Sequence, residues 1–120
     1  MAQPEAQLQG AVVAFLRGAL PPRALVFAVP NGGSRDKREA AKLKWQGVLA
    51  GVPDLIVLID RQCFGIELKA RTGRLTDEQK LISCRFEDNQ IPWTVARSID
   101  EVETFLRGHG VPLRSTVLAA

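Results

Sequence analysis

Three polar residues lie at the ends of two apolar segments that are neighbours in the sequence. Asp54 opens the aliphatic run that ends at Ile59, and Glu67 and Lys69 close the segment that begins at Cys63. Charged side chains at the ends of apolar segments are expected to be partly enclosed by the protein. Buried charges are costly unless they are paired or bind a metal. Two carboxylates suit Mg²⁺ or Mn²⁺, and a water and a phosphate oxygen on one such ion form a hydrolytic arrangement. The residues therefore indicate metal-dependent hydrolysis of a phosphate ester, and the alternative is an ordinary cross-strand salt bridge.

The two segments are predicted to pair as an antiparallel hairpin, because only Asp60–Gln62 connects them. Apolar and polar residues do not alternate in the first segment, Asp54–Ile59, so we expect a central strand with both faces buried. In the second segment, large apolar residues alternate with other residues. Glu67 and Lys69 therefore share the face opposite the large apolar residues. The Cα atoms of these two residues are then about 6.7 Å apart. The hairpin would bring Asp54 to the same end of the sheet.

Capping signals and apolar periodicity predict the remaining elements. A helix begins at Pro4 and ends at Pro21, and a short strand covers Leu25–Val29 before a turn. Three further helices begin at capping boxes, and one more strand precedes the last of them. The boxes are Asp36 with Glu39, Thr76 with Gln79 and Ser98 with Glu101, and the strand covers Pro92–Ala96.

The predicted order of elements is helix, strand, helix, strand, strand, helix, strand, helix. This order favours an α/β fold, with a single-domain mixed β-sheet flanked by helices on both faces. A chain of 120 residues is expected to form one domain, 1–120, with a core of about 5–108. The tail, 111–120, is apolar without a pattern, and a strand, a packing arm and a subunit contact all remain open.

Basic residues are concentrated on both sides of Asp54. The net charge is +3, and residues 35–44 alone carry +3, as do residues 69–74. Such clusters are typical of a phosphate-binding surface. When each cluster is considered separately, a solvated helix face explains it equally well. No apolar run is long enough for a membrane helix and no secretory signal is visible, so a cytoplasmic protein is expected. Trp45 and Trp93 are expected to pack rather than to stack on bases.

An ordered set of motifs resembles a known nuclease family. Pro53-Asp54, twelve intervening residues and Glu67-Leu68-Lys69 resemble the signature of the PD-(D/E)XK phosphodiesterase superfamily. The whole set is similar to the VRR-NUC family, and it spans nearly the whole chain. The supporting residues are Glu5, Pro30-Asn31-Gly32-Gly33, Lys44, Gly47, Ala50-Gly51-Val52, Ile66, Ala70, Gly73 and Gln79. The resemblance implies a restriction-endonuclease-like core.

The resemblance also implies a role for each residue of the central motif. Asp54 and Glu67 would ligate Mg²⁺ or Mn²⁺, with the backbone carbonyl of Leu68 as a further ligand. Lys69 would orient or activate the attacking water and help to neutralise the charge of the transition state.

Glu5 and Gln79 are further catalytic candidates, and each has a structural alternative. Glu5 shares a helical stripe with Leu8 and Val12, so we expect it to point inward. The resemblance makes it an active-site acid, whereas its place in the first turn would also complement the helix dipole. The resemblance places Gln79 near the site, whereas its capping box with Thr76 explains it equally well.

DNA contacts are expected from a glycine-rich loop and from the two basic clusters. A simple turn remains the alternative for the loop. The expected contacts are Asn31, Gly32, Arg35, Lys37, Arg38, Lys44, Arg71 and Arg74.

Taken with the resemblance, these residues predict a metal-dependent DNA endonuclease. Stand-alone members of the family resemble homodimeric Holliday-junction resolvases, which implies a homodimer that cleaves branched DNA in a repair or mobile-element setting. Two alternatives stay open. One is a non-catalytic DNA-binding protein on the same scaffold, and the other is a general DNA or RNA nuclease without branch selectivity.

Overall fold

A computed structural model of the chain describes residues 4–30 and 36–114, and it confirms the predicted order of elements. Within these residues, four helices and four strands follow one another in the order that the capping signals and periodicity indicate. The elements are α1 (Pro4–Ala19), β1 (Leu25–Ala28), α2 (Lys37–Trp45), β2 (Leu55–Ile59), β3 (Gln62–Leu68), α3 (Asp77–Asp88), β4 (Trp93–Ala96) and α4 (Ile99–Gly108). The predicted α/β fold with a mixed sheet flanked by helices is therefore confirmed.

The four strands form one sheet in the order β1-β2-β3-β4. β2 pairs with β1 and β3 in antiparallel fashion, whereas β3 and β4 are parallel. The β2–β3 connection is shorter than predicted, since only Asp60 and Arg61 lie outside the pairing. Both have positive φ, 51° and 67°, which is the backbone of a tight hairpin turn. The side chain of Asp60 also accepts two hydrogen bonds from Arg23.

The hydrophobic core lies between one face of the sheet and the helices α1 and α4. Alternate residues of β2 and β3 point to this face and meet apolar side chains of both helices. Each fully buried leucine or valine contributes roughly 2 kcal/mol of transfer free energy. The fully buried side chains are Phe64, Leu16, Leu55, Ile66, Leu68, Leu106, Val12, Val57 and Val102.

The opposite face of the sheet is only partly covered. α3 lies over β3 and β4, and a Cβ atom at Gly65 would come within 2.7 Å of the Phe86 ring. Ile56 and Leu58 of β2 are therefore only half-buried, and the prediction that both faces of this central strand are buried is wrong for this face. The central position of β2 is confirmed.

The loop before β2 holds the beginning of α3 against the sheet. Gly51 has a φ of +93°, and a Cβ atom there would lie 2.5 Å from the backbone carbonyl oxygen of Glu78. Only glycine tolerates both the positive φ and this close approach. The first turn of α3 is thereby placed beside the start of β2.

The described part of the C-terminal segment is a packing arm. Val111 and Leu113 are buried in the core, and the backbone N–H of Arg114 donates to the carbonyl of Ala19. Among the described residues, no helix is both long enough and apolar enough to cross a membrane.

Candidate active site

Asp54 and Glu67 meet across the β2–β3 hairpin. Leu55 pairs with Ile66, so the antiparallel register, continued by one residue, places Asp54 opposite Glu67. Side chains in such cross-strand positions have Cβ atoms about 5 Å apart. One carboxylate oxygen of Asp54, Oδ2, also accepts a hydrogen bond of 2.8 Å from the backbone N–H of Leu68. The two acids thus share one end of the sheet, on the face that α3 covers.

Lys69 adds a third ionisable group to the two acids, and it is buried, as is Glu67. Glu67 is 4% exposed and Lys69 is 7% exposed. The Nζ atom of Lys69 lies 3.8 Å from Oε2 of Glu67. The two groups are within salt-bridge distance, but they belong to one strand segment and lie inside the protein, so they are not the ordinary cross-strand salt bridge of the structural alternative. Surface pairs contribute little, whereas buried charges carry a large desolvation cost that a structural role alone does not explain.

Burial of the two carboxyl groups shifts their protonation. Desolvation, followed by the negative charge of Asp54, raises the pKa of Glu67 to about 8, although Lys69 opposes the shift. The pKa of Asp54 is also raised, chiefly by burial, while its hydrogen bond from Leu68 acts in the opposite direction. Two acids in one poorly solvated place resist full ionisation, and a bound cation would relieve this repulsion.

Gln79 combines the two roles that the sequence left as alternatives. Its Oε1 accepts from the backbone N–H of Thr76, and its backbone N–H donates to Oγ1 of Thr76, which completes the capping box. Its Nε2 donates to Oε2 of Glu67 at 2.8 Å. The same side chain thus caps α3 and holds Glu67.

Glu5 reaches the site from the first turn of α1. It is exposed, so the prediction that it points inward is wrong; this turn extends past the buried part of the helix, which begins at Val12. Its Oε2 accepts from the backbone N–H of Ala70 at 3.2 Å. Its charge also contributes to the raised pKa values of Asp54 and Glu67, although it is the last of the causes.

Arg97 is a residue of the site that the sequence reasoning missed. It follows β4, whose last residue, Ala96, pairs in parallel with Leu68. Its Nη1 donates to the carbonyl of Ala70 at 2.6 Å and, at 3.4 Å, to that of Arg71. A basic residue after the last strand was the available signal, but its meaning depended on β4 being the parallel neighbour of β3.

The donor set fits a hard divalent cation that keeps several waters. Within residues 4–30 and 36–114 there is no cluster of three or more His, Cys, Asp or Glu residues suited to a metal. Structural zinc needs four protein ligands, whereas Mg²⁺ is usually held by one or two carboxylates. Asp54 and Glu67 meet the second requirement. The role of the Leu68 carbonyl stays a prediction.

The predicted DNA contacts divide into three groups. Asn31, Gly32 and Arg35 lie outside the described residues. Arg71 and Arg74 are exposed in the segment that directly follows Lys69. The third group consists of Lys37, Arg38 and Lys44, which are exposed on α2, where Lys44 faces the cavity between α2 and α3.

Comparisons with known proteins agree with the geometry. The VRR-NUC domain matches residues 10–100 of the chain. One solved structure, named "VRR_NUC domain protein", is 28% identical, with 90% of this chain and 88% of that chain covered and a TM-score of 0.70. A second, named "VRR_NUC domain", is 21% identical with a TM-score of 0.58; it covers 90% of this chain and 98% of that chain and shows the fold alone.

No curated protein matches the chain. The match to the VRR-NUC domain covers most of the chain, and the solved structure of 28% identity has the same fold. The chain therefore belongs to the VRR-NUC domain family, and its function is of the nuclease type, which implies DNA as the substrate.

Proposed function

We propose that the protein is a metal-dependent endonuclease that hydrolyses DNA phosphodiester bonds with Mg²⁺ or Mn²⁺. The observation that carries this proposal is the meeting of two carboxyl groups and one ammonium group at a single buried end of the sheet. Asp54 and Glu67 oppose each other across the hairpin, and Lys69 lies 3.8 Å from Glu67. A pocket of this composition has little use in a core but suits a phosphate bound to a cation.

Asp54 and Glu67 are the residues that would hold the metal. When bound, the ion would polarise the phosphate and lower the pKa of a water molecule. The protein's own contribution is to hold these side chains in place before the substrate arrives. The N–H of Leu68 orients Asp54, and the amide of Gln79 orients Glu67. Such preorganisation lowers the barrier because no reorganisation is needed during the reaction.

Lys69 places a positive charge beside the carboxylates. It is buried and lies on the same strand face as Glu67, so its side chain has little freedom. We assign it the orientation of the attacking water and the neutralisation of negative charge on the phosphate in the transition state.

Branched DNA, with a Holliday junction as the simplest example, is the proposed substrate, and a homodimer is the proposed assembly. One active site cuts one strand, so paired cuts require two copies, and a two-fold dimer is the commonest way to provide them. The two-fold symmetry of such a dimer also suits a four-way junction. The exposed arginines in the segment after Lys69, Arg71 and Arg74, support the binding of phosphate.

The experiment compares a four-way DNA junction with a linear duplex of the same sequence, with Mn²⁺ or with EDTA. Wild-type protein should cleave the junction in pairs of cuts, only with metal, and should sediment as a dimer. Lys69→Ala should bind DNA normally but lose at least about 100-fold in rate, a typical cost for a lost transition-state contact. Asp54→Asn should lose metal-dependent cleavage and still fold, because the amide removes a partly buried charge without changing the size of the side chain.

Each outcome decides a different part of the proposal. Binding without cleavage in either metal would show a DNA-binding protein on a nuclease scaffold. Equal cleavage of junction and duplex would remove the branch selectivity, and RNA cleavage in a parallel reaction would broaden the substrate class. Wild-type rates for Lys69→Ala or Asp54→Asn would refute the assigned roles.

A further inference from the structure

Trp45, the last residue of α2, is almost completely exposed. Its side chain is 86% accessible to solvent, and none of the residues of α2 is buried. The expectation that this tryptophan packs in the protein is therefore wrong, because α2 turns a different side toward the rest of the fold. Single apolar residues on a surface are normal, so this exposure gains meaning only from the side chains that surround the ring.

The exposed side of α2 carries a regular set of side chains. At 3.6 residues per turn, Arg38, Lys42 and Trp45 have the spacing i, i+4, i+7 and lie on one face of the helix. Ala40, Leu43 and Lys44 line the cavity between α2 and α3 and so occupy the opposite face. Arg38, Lys42 and Trp45, which we call the outer face of α2, are thus directed to solvent.

The charge of α2 decides what kind of partner fits the outer face. The helix carries four basic residues and one acidic residue, Glu39, a net charge of +3. A second copy docked here would bring two helices of like charge together, and lysine is depleted at the core of protein interfaces. A polyanion is favoured instead, because its phosphates neutralise the same lysine and arginine side chains.

Aromatic and basic side chains on one face are the combination that binds single-stranded nucleic acid. Bases stack on aromatic rings whatever their sequence, while basic residues follow the backbone. The distance along the helix axis from Arg38 to Trp45 is about 10.5 Å, which is long enough for both phosphate and base contacts along one short strand. In a fully paired duplex the bases are stacked on each other, so only an unpaired base is free to stack on Trp45.

The outer face of α2 lies on the far side of this helix from the carboxylates. Across the cavity of about 440 Å³, α2 faces Glu78 and Ile82 of α3. Glu78 precedes Gln79, whose amide holds Glu67. A strand on the outer face is therefore separated from the active site by the width of α2 and one turn of α3.

We propose that the outer face of α2 binds the unpaired strand at a DNA branch point, with Arg38 and Lys42 on phosphates and Trp45 stacked on an unpaired base. The proposal rests on the proposed function for its ligand, DNA, but it does not require cleavage. It names the feature of branched DNA that the protein recognises, namely an unpaired base at the branch point.

The test measures binding in EDTA, where metal-dependent cleavage does not occur. Two fluorescein-labelled probes are compared, a fully paired duplex and the same duplex with a single-stranded flap. Trp45→Ala should bind the flap roughly 5- to 100-fold more weakly, the expected loss for one stacked base, and should bind the duplex almost unchanged. Trp45→Phe should restore most of the flap binding. Lys42→Ala should weaken the binding of both probes. It should also reduce by about one the slope of the logarithm of the binding constant against the logarithm of the salt concentration.

Tryptophan fluorescence provides a direct second readout. In a Trp93→Phe background Trp45 is the remaining tryptophan, since the chain has two. Trp93 is half-buried on β4, donates to Glu87 and lines a small pocket with Glu67, so the flap affinity of Trp93→Phe is measured first and should equal that of the wild type. The flap should quench the emission of Trp45 strongly, and the paired duplex should quench it only weakly.

Leu25→Ala is the matched control, because Leu25 is also exposed, at 55%, but lies on β1, at the edge of the sheet. It should bind both probes as the wild type does. Three results for Trp45→Ala would overturn the proposal. They are an equal loss of affinity for the flap and the duplex, an unchanged affinity for the flap, and a sedimentation mass that differs from that of the wild type. Normal flap binding by a wild type that never cleaves would refute the nuclease proposal and leave this inference standing.

Discussion

At the scale of single residues, the decisive feature is a pair of acids that cannot both ionise easily. Glu67 is nearly inaccessible to water, and its pKa is raised to about 8 by burial and by the charge of Asp54. In the absence of metal, the folded protein therefore holds a proton at neutral pH that an unfolded chain would release. This links the stability of the metal-free protein to pH.

The stability of the metal-free protein should fall as pH rises between the two pKa values of Glu67. The folded pKa, about 8, lies above the ordinary value of 4.5, so within this interval the folded state binds more protons than the unfolded state. The free energy of unfolding should be constant below the interval, decline through it and level off above it. Urea denaturation in EDTA at several pH values measures this.

Glu67→Gln is the matched variant for this measurement. Its amide does not titrate, so its unfolding free energy should lose most of the pH dependence in the same interval. An equal pH dependence in the variant and the wild type would show that Glu67 is not the titrating group. Asp54 has a raised pKa as well, and it would then be the next residue to replace.

At the scale of elements, the beginning of α3 has a structural part and, under the proposed function, a part in positioning Glu67. Thr76 and Gln79 cap the helix together, but only Gln79 reaches Glu67. Thr76→Ala should lower the free energy of unfolding by about 1 kcal/mol and leave the rate of DNA cleavage nearly unchanged. Gln79→Ala should have a similar effect on stability and should also lower the cleavage rate.

Thermal denaturation and single-turnover cleavage, measured on both variants, separate the two effects. If both variants lose rate to the same extent, the cap acts only through the stability of α3, and the contact with Glu67 has no separate role. If Gln79→Ala cleaves like the wild type, this glutamine is a helix cap alone.

The segment that follows β3 is held from two other elements. Arg97, after β4, binds the carbonyls of Ala70 and Arg71, and Glu5 of α1 accepts from the N–H of Ala70. The backbone N–H of Lys69 also donates to Ala96. We therefore interpret Arg97 as a positioning residue for Lys69.

Arg97→Ala should lower kcat with little change in KM, because it loosens the backbone beside Lys69 rather than removing a contact to DNA. Arg97→Lys should restore part of the rate, since an ammonium group still donates to one carbonyl. Arg107→Ala is the control, an exposed arginine of α4 that pairs with Glu103. A rise in KM alone would instead make Arg97 a DNA contact.

At the scale of the whole molecule, the positive charge is concentrated on α2 and on the segment after Lys69. Replacement of Arg35, Lys37 and Arg38 by alanine should weaken binding to all DNA probes and flatten its salt dependence by up to about three units, one for each lost phosphate contact. Arg23 and Arg107 are paired with acids, so their double alanine variant should retain the wild-type salt dependence. Binding titrations at several salt concentrations measure both.

An unchanged salt slope for the triple variant would show that DNA approaches another surface. The exposed arginines after Lys69, Arg71 and Arg74, would then be the residues to replace. The same titrations therefore locate the phosphate-binding surface in either case.

The sequence by itself determined what depends on neighbours along the chain. The caps at Asp36, Thr76 and Ser98 are present because a cap involves residues only three positions apart. The hairpin and the shared face of Glu67 and Lys69 were equally predictable, because a strand alternates with a period of two.

The tertiary structure decided what depends on which elements meet. The order of the sheet places Arg97 beside the segment after Lys69, and the packing of α3 on Gly65 brings Gln79 to Glu67. The side of α2 that faces α3 leaves Trp45 in solvent. These contacts join residues distant in sequence, and local propensity carries no information about them because the packing of whole helices and strands sets their distances.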